Sequence, residues 1–156
     1  MSGRQDAAEA GELMAGVALA VFRLNGQFLD VAENLAKPAG LTAAWWQVLG
    51  AVLDEPLPVA GIARAMGITR QSVQRIADLL VDKGMAVYRP NPAHARAKLL
   101  EPTPDGLAAV RRITPGQREV ATVLADRLGI DEFRRVRQAL EALSQAMDTL
   151  EAPDAR

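Results

Sequence analysis

The sequence predicts a mainly α-helical fold carrying one small β-hairpin, and three observations lead there. Apolar residues recur at helical spacing through both ends of the chain, glycine and proline cut the middle into short segments, and two β-compatible stretches flank a proline-rich loop. The chain has 156 residues, 49% of them hydrophobic, enough for one sizeable core and a single domain over residues 1–156.

The first element is a long amphipathic helix over about residues 5–38, with Leu13, Val17, Val21, Leu24, Phe28, Val31 and Leu35 on one face. Residues 37–40 (Lys-Pro-Ala-Gly) stop it, because proline cannot continue the hydrogen-bond ladder and glycine tolerates the turn. A second helix starts at Leu41 or Thr42, with Thr42 suited to cap it and Trp45, Val48, Leu49 and Val52 as its apolar stripe. Residues 59–66 suit a short helix with Val59, Ile62, Ala63 and Met66 inward, closed by Gly67. Thr69 then caps a helix whose buried face is Val73, Ile76, Ala77 and Leu80 and which ends at Gly84.

Residues 85–89 and 97–101 read as the two strands of the hairpin, with a loose tip between them. Another helix opens at Thr103 or Asp105 with Leu107, Val110 and Ile113 inward, and Pro115-Gly116 is expected to kink or break it before Val120, Val123, Leu124 and Leu128. Beyond Gly129, Asp131 caps or leads a last helix. Its residues Phe133, Val136, Leu140, Leu143, Met147 and Leu150 alternate spacings of three and four, as in a coiled-coil seam.

Composition narrows the function. The net charge is only −1, yet residues 57–101 hold seven Lys/Arg against three acids, so a basic middle of +4 sits between acidic flanks. No cysteine and a single histidine argue against a metal site, a disulfide or thiol sensing, and no cofactor is expected. The uncharged run 14–22 is too short to span a bilayer and follows an acidic rather than a basic terminus, which predicts a cytoplasmic protein with no membrane partner. No Gly-rich phosphate loop, nucleophile motif or histidine cluster is present, so an enzyme is not expected.

Residues 59–78 meet the demands of a helix-turn-helix unit: Ala63 lets two helices approach, Gly67 makes the turn, and Val73 with Ile76 locks the second helix onto the first. Pointing outward near the second helix's N-terminus are Arg70, Gln71, Ser72, Gln74 and Arg75, all able to donate to phosphates or base edges, with no acid before Asp78. Solvated helices more often carry acids in the first turn, where the macrodipole favours them. Together with the basic hairpin downstream, this predicts a double-stranded DNA partner.

Leu41-Thr42 and Trp46 at the second helix, Thr69-Arg70-Gln71-Ser72-Val73 at the recognition helix, and Gly84 leading to Arg89 give a chain that resembles the MarR (multiple antibiotic resistance regulator) family of winged helix-turn-helix regulators over nearly its whole length. The resemblance implies a DNA-binding winged region over 41–103, dimerisation helices over 5–38 and 104–151, and DNA contacts from Thr69 and the residues above together with Arg89, His94, Arg96 and Lys98. The family's wing pattern of Asp-x-Arg followed after five residues by Leu-Thr falls on His94-Ala95-Arg96 and Pro102-Thr103: Arg96 and Thr103 match, His94 and Pro102 depart. Arg96 fits minor-groove insertion, but without the acid partner it is less firmly oriented. His94, a lone histidine in a polar loop, is assigned at most a supporting phosphate contact.

The terminal helices hold apolar faces that a minimal winged helix does not need. A two-fold homodimer built on Leu13, Val17, Phe133, Val136, Leu140, Leu143 and Met147 would cover them and set two recognition helices about 34 Å apart on a pseudo-palindromic operator. The resemblance further implies a repressor released by a small aromatic or phenolic effector bound between dimer helices and DNA-binding head, near Trp45 and Trp46. Adjacent helical residues point about 100° apart, so either one tryptophan faces that cleft or both pack in the core. The competing function is a winged helix used for protein interaction or as a constitutive architectural module without effector sensing.

Overall fold

The computed structural model describes residues 2–150; residue 1 and residues 151–156, the ends of the expected domain and of its last dimerisation segment, lie outside the described residues. Helix α1 spans Ser2–Ala36 and passes into one 3₁₀ turn, Lys37–Ala39, that places Pro38 where no intrahelical donor is required. Gly40, at φ 74°, then reverses the chain, its N–H bonded to the Lys37 carbonyl at 3.0 Å. Thr42 caps α2 (Ala43–Ala51), its Oγ1 accepting from the Trp45 amide at 3.1 Å. The Glu33 carboxylate adds a second acceptor at this helix start, taking the Ala43 N–H at 2.8 Å and so tying α1 to α2.

A short strand β1 (Leu57–Pro58) leads into α3 (Val59–Met66), and after a turn α4 (Arg70–Asp82) follows. Strands β2 (Ala86–Arg89) and β3 (Leu99–Pro102) form the hairpin. β1 is an addition that the sequence did not announce: the sheet has three antiparallel strands in the order β1-β3-β2, with Leu57 opposite Leu100 on one side and Tyr88 opposite Leu100 on the other. Two residues ending in proline carry no alternation to detect, and their pairing is supplied by a partner some forty residues away.

The core draws on α1, α2, α3, α4, β3 and the start of α5 (Pro104–Leu128), with Leu49, Ile62, Leu80, Leu100 and Ile113 fully enclosed. Each such side chain contributes about 2 kcal/mol by leaving water. The inward face of α5 is Gly106, Ala109 and Ile113, whereas Leu107 and Val110, expected inside, are only half-buried. The reason is a backbone contact: a Cβ on Gly106 would lie 2.0 Å from the Met85 carbonyl oxygen, so the start of α5 sits against the connection between α4 and β2 at a distance that only glycine permits.

Pro115 does not break α5, which is helical through Leu128. Proline has no N–H to give the carbonyl of Arg111, and Arg111 is an exposed residue, where a missing helical bond costs less than it would in the core. The chain divides into two compact units between Ile113 and Thr114. Gly129 (φ 82°) separates α5 from α6 (Ile130–Asp148) and is itself the N-cap, so Asp131 is not the cap: it lies in the first turn and accepts from Arg134 at 2.7 Å. Leu150 lies beyond the end of α6. Among the described residues, no helix is long and apolar enough to cross a membrane.

Candidate nucleic-acid interface

The α3-turn-α4 unit positions the exposed residues. Gly67 adopts φ 64° and its N–H bonds the Ala63 carbonyl, which turns the chain sharply. Thr69, in extended conformation, caps α4 by accepting from the Ser72 amide at 3.1 Å, and its hydroxyl donates to Ser72 Oγ at 2.9 Å. Thr69 and Ser72, expected as DNA contacts, thus meet each other first, and Ser72 keeps its own hydroxyl proton for a further bond. Val73, Ile76, Ala77 and Leu80 are the buried face of α4, as their spacing predicts, which leaves Arg70, Gln71, Gln74 and Arg75 exposed.

A cleft of about 680 Å³ opens between α4 and the hairpin. Pro58, Val59 and Ala60 form one wall, Arg70, Gln71, Gln74 and Asp78 a second, and Tyr88, Arg96, Ala97 and Lys98 the rest. Arg70, Gln71, Gln74, Arg96 and Lys98 are therefore brought together, three cations to the single acid Asp78. Arg75 is exposed on α4 outside this lining, and among the described residues no ion pair engages Arg70, Arg75 or Arg96.

The hairpin tip, expected to be loose, is built from turns. Asn91 Oδ1 accepts from the Ala93 amide at 3.0 Å, the Asn91 carbonyl from the His94 amide at 3.3 Å, and the His94 carbonyl from the Ala97 amide at 3.2 Å. His94 is exposed and holds the loop through its backbone. Arg89, expected as a DNA contact, is exposed and ion-paired with Glu101 across β2 and β3, so part of its charge is offset within the sheet. Lys98 Nζ stands 6.0 Å from the Tyr88 ring centre.

One residue of the cleft, Tyr88, went unnoticed in the sequence. Tyr88 donates its hydroxyl proton to Asp78 Oδ1 at 2.5 Å, and Gln74 Nε2 lies 3.0 Å from both Asp78 Oδ1 and the Tyr88 oxygen. Burial, reinforced by the hydrogen bond to Asp78 and by its negative charge, pushes the Tyr88 phenol up to about 12, so it remains a donor at any ordinary pH. Strand alternation could have found Tyr88, since it lies two residues after buried Ala86 and so turns toward the same side of the sheet.

The two tryptophans share one environment. Both are half-buried and both pack against the core, and Lys83 Nζ lies 5.4 Å from the Trp45 ring centre. At the expected dimer contacts, Leu13, Val17, Val136, Leu140 and Met147 are exposed, Leu13 by 62%, while Phe133 and Leu143 are half-buried. The charged face of α6 is satisfied locally by Arg134–Asp131, Arg135–Glu132 and Arg137–Glu141 pairs, whereas no residue of its apolar seam is buried.

Comparison with known proteins yields a family model, described as MarR family, that matches residues 39–97. An uncharacterized protein of Mycobacterium tuberculosis is 37% identical over 127 residues, covering 81% of this chain and 89% of that protein. Solved structures share the fold, two of them as follows. The M. tuberculosis transcriptional regulator MosR, in complex with DNA, has a TM-score of 0.71 at 23% identity, covering 86% of this chain and 97% of that one. CouR from Rhodococcus jostii, bound to p-coumaroyl-CoA, has a TM-score of 0.72 at 18% identity, with 82% and 91% covered.

Proposed function

We infer that this chain, which belongs to the MarR family of transcriptional regulators, binds duplex DNA as a homodimer, with the N-terminal half of α4 in the major groove and the β2–β3 loop at the minor groove. The observation that carries this reading is the unpaired cationic rim: Arg70, Arg75 and Arg96 stand exposed around a helix start that has no acid in its first turn, with Lys98 beside them. The aligned N–H groups there attract phosphate, and the cations add counterion release on binding. Arg70, Gln71, Gln74 and Arg75 are the major-groove group, Arg96 the minor-groove residue, and Thr69, Ser72, His94 and Lys98 supply phosphate contacts; Arg89 supports the wing through Glu101.

The homodimer rests on the uncovered apolar faces of α1 and α6. On α1, Leu13 and Val17 flank a shallow groove with Gly16 and Ala20, small residues that let another helix approach. Two-fold symmetry then implies a pseudo-palindromic operator, and the regulator acts in the cytoplasm as a repressor. The effector reading, a small aromatic or phenolic compound near Trp45 and Trp46, is supported by CouR carrying a phenolic thioester on a shared fold. The test is enrichment of a randomised duplex pool on the purified protein, followed by binding isotherms at several salt concentrations. The expected result is a palindromic consensus and a log-log salt slope of several units. A pool that stays random, with no salt-dependent retention of any duplex, would overturn the reading.

A further inference from the structure

Gln74, Asp78 and Tyr88 form a closed triangle with sides of 3.0, 3.0 and 2.5 Å on the wall of the cationic cleft. The chemistry of the corners orients the amide. The Asp78 carboxylate only accepts, so the NH₂ end of Gln74 must face it, and the Tyr88 hydroxyl, having given its proton to Asp78, accepts as well. Seen from Nε2, the two oxygens lie about 50° apart on those distances, whereas the two N–H bonds of an amide diverge by about 120°. One N–H is therefore shared by both oxygens. Among the described residues the other N–H and Oε1 have no partner, and Gln74 is exposed.

We propose that Asp78 and Tyr88 are positioning residues that hold the Gln74 side chain in one orientation, so that its remaining N–H and its Oε1 form a preset bidentate reader of adenine in the major groove. This rests on the DNA-binding reading above and deepens it. A free glutamine has three side-chain torsions to freeze on meeting a base, and a preset one has already lost that freedom on folding. Adenine matches because its N7 accepts and its N6 donates along one edge, as a glutamine amide requires. Tyr88 lies on β2, in the strand that carries the wing, so the same triangle ties the reader on α4 to the wing's base. The raised phenol keeps the device assembled throughout the neutral range.

The experiment compares the base preferences of the parent with Tyr88→Phe, Asp78→Asn, Gln74→Ala and the Tyr88→Phe/Gln74→Ala double variant, on the enriched duplex pool and on scrambled duplex. The parent is expected to demand adenine at one position of each half-site and Gln74→Ala to lose that demand. Tyr88→Phe, which deletes one oxygen and keeps the ring, should weaken it about five- to tenfold at that position alone, the scale of one lost hydrogen bond. Asp78→Asn keeps a carbonyl acceptor and should retain most of the preference. In the Gln74→Ala background, Tyr88→Phe should change nothing further. The inference is overturned if Gln74→Ala leaves every position unchanged. It is equally overturned if Tyr88→Phe spares the adenine, or weakens all positions and scrambled duplex alike. A parent that enriches no sequence at all would instead defeat the DNA-binding reading.

Discussion

Replacing Gly106 by alanine would place a methyl group 2.0 Å from the Met85 carbonyl oxygen, where an ordinary carbon–oxygen contact needs about 3.3 Å. The start of α5 or the backbone at Met85, just before β2, must then yield by about 1 Å. That carbonyl already accepts from the Thr103 amide at 3.0 Å, and Thr103 Oγ1 bonds both the Gly84 carbonyl and the Gly106 amide, so a shift strains a small network as well as a van der Waals contact. Overpacking against backbone costs about 3 kcal/mol, and alanine's better helix propensity returns about 1 kcal/mol, leaving a net loss of about 2 kcal/mol. For a chain of this size that is a melting-temperature drop of roughly 4–8 °C. Gly50 supplies the control: it lies inside α2, is exposed, and has nothing within 4 Å of the place a Cβ would take, so Gly50→Ala should stabilise by about 0.5–1 kcal/mol. Both variants are compared with the parent by thermal and urea denaturation at one protein concentration, since self-association makes stability concentration-dependent. If Gly106→Ala melts at or above the parent while Gly50→Ala gains stability, the close approach of α5 to Met85 is wrong.

Leu140→Asp puts a charge into the exposed seam of α6 and is expected to convert the dimer to monomer in sedimentation; unchanged mass and stability would remove α6 from the interface. Arg96→Ala should weaken operator and scrambled duplex alike and lower the salt slope by about one unit per subunit, whereas Arg75→Ala should cost about 1–3 kcal/mol of discrimination at one base pair; the isotherms that define the slope report both. The folded chain holds the Tyr88 proton more tightly than the unfolded one, with a pKa of about 12 against 10.0, so the stability this gives is complete below pH 10 and is lost as pH rises through 12. The urea midpoints of parent and Tyr88→Phe should therefore converge over that window, and a constant difference would contradict it. An aromatic acid that occupies a site near Trp45 and Trp46 should quench their fluorescence and lower DNA affinity together; quenching with unchanged affinity would end the sensing role.

The helical scaffold was legible because its signals are local. Val73, Ile76, Ala77 and Leu80 share one face of a 3.6-residue period, Thr42 and Thr69 occupy cap positions, and Gly67 and Gly84 stand where the chain needs positive φ. What stayed hidden was decided across distance. Strand β1 exists because Leu57 meets Leu100, Gly106 is required because Met85 lies over it, and Pro115 stands where α5 is exposed, at a residue outside the core. No window of neighbouring residues contains those facts.

The candidate interface divides the same way, and the division changes what each charge contributes. Arg70, Arg75, Arg89 and Arg96 look equivalent as letters in a basic segment, yet a cross-strand contact pairs Arg89 with Glu101, while among the described residues no ion pair engages the other three. An arginine already bonded to a carboxylate must break or share that pair before it meets a phosphate, so its net gain on binding is smaller than that of a free one. Conversely Asp78, the first acid of α4, has its repulsion of phosphate reduced by receiving both the Tyr88 hydroxyl and the Gln74 amide. Its charge is bonded from the protein side, and what α4 presents beside it is an oriented amide flanked by Arg70 and Arg75.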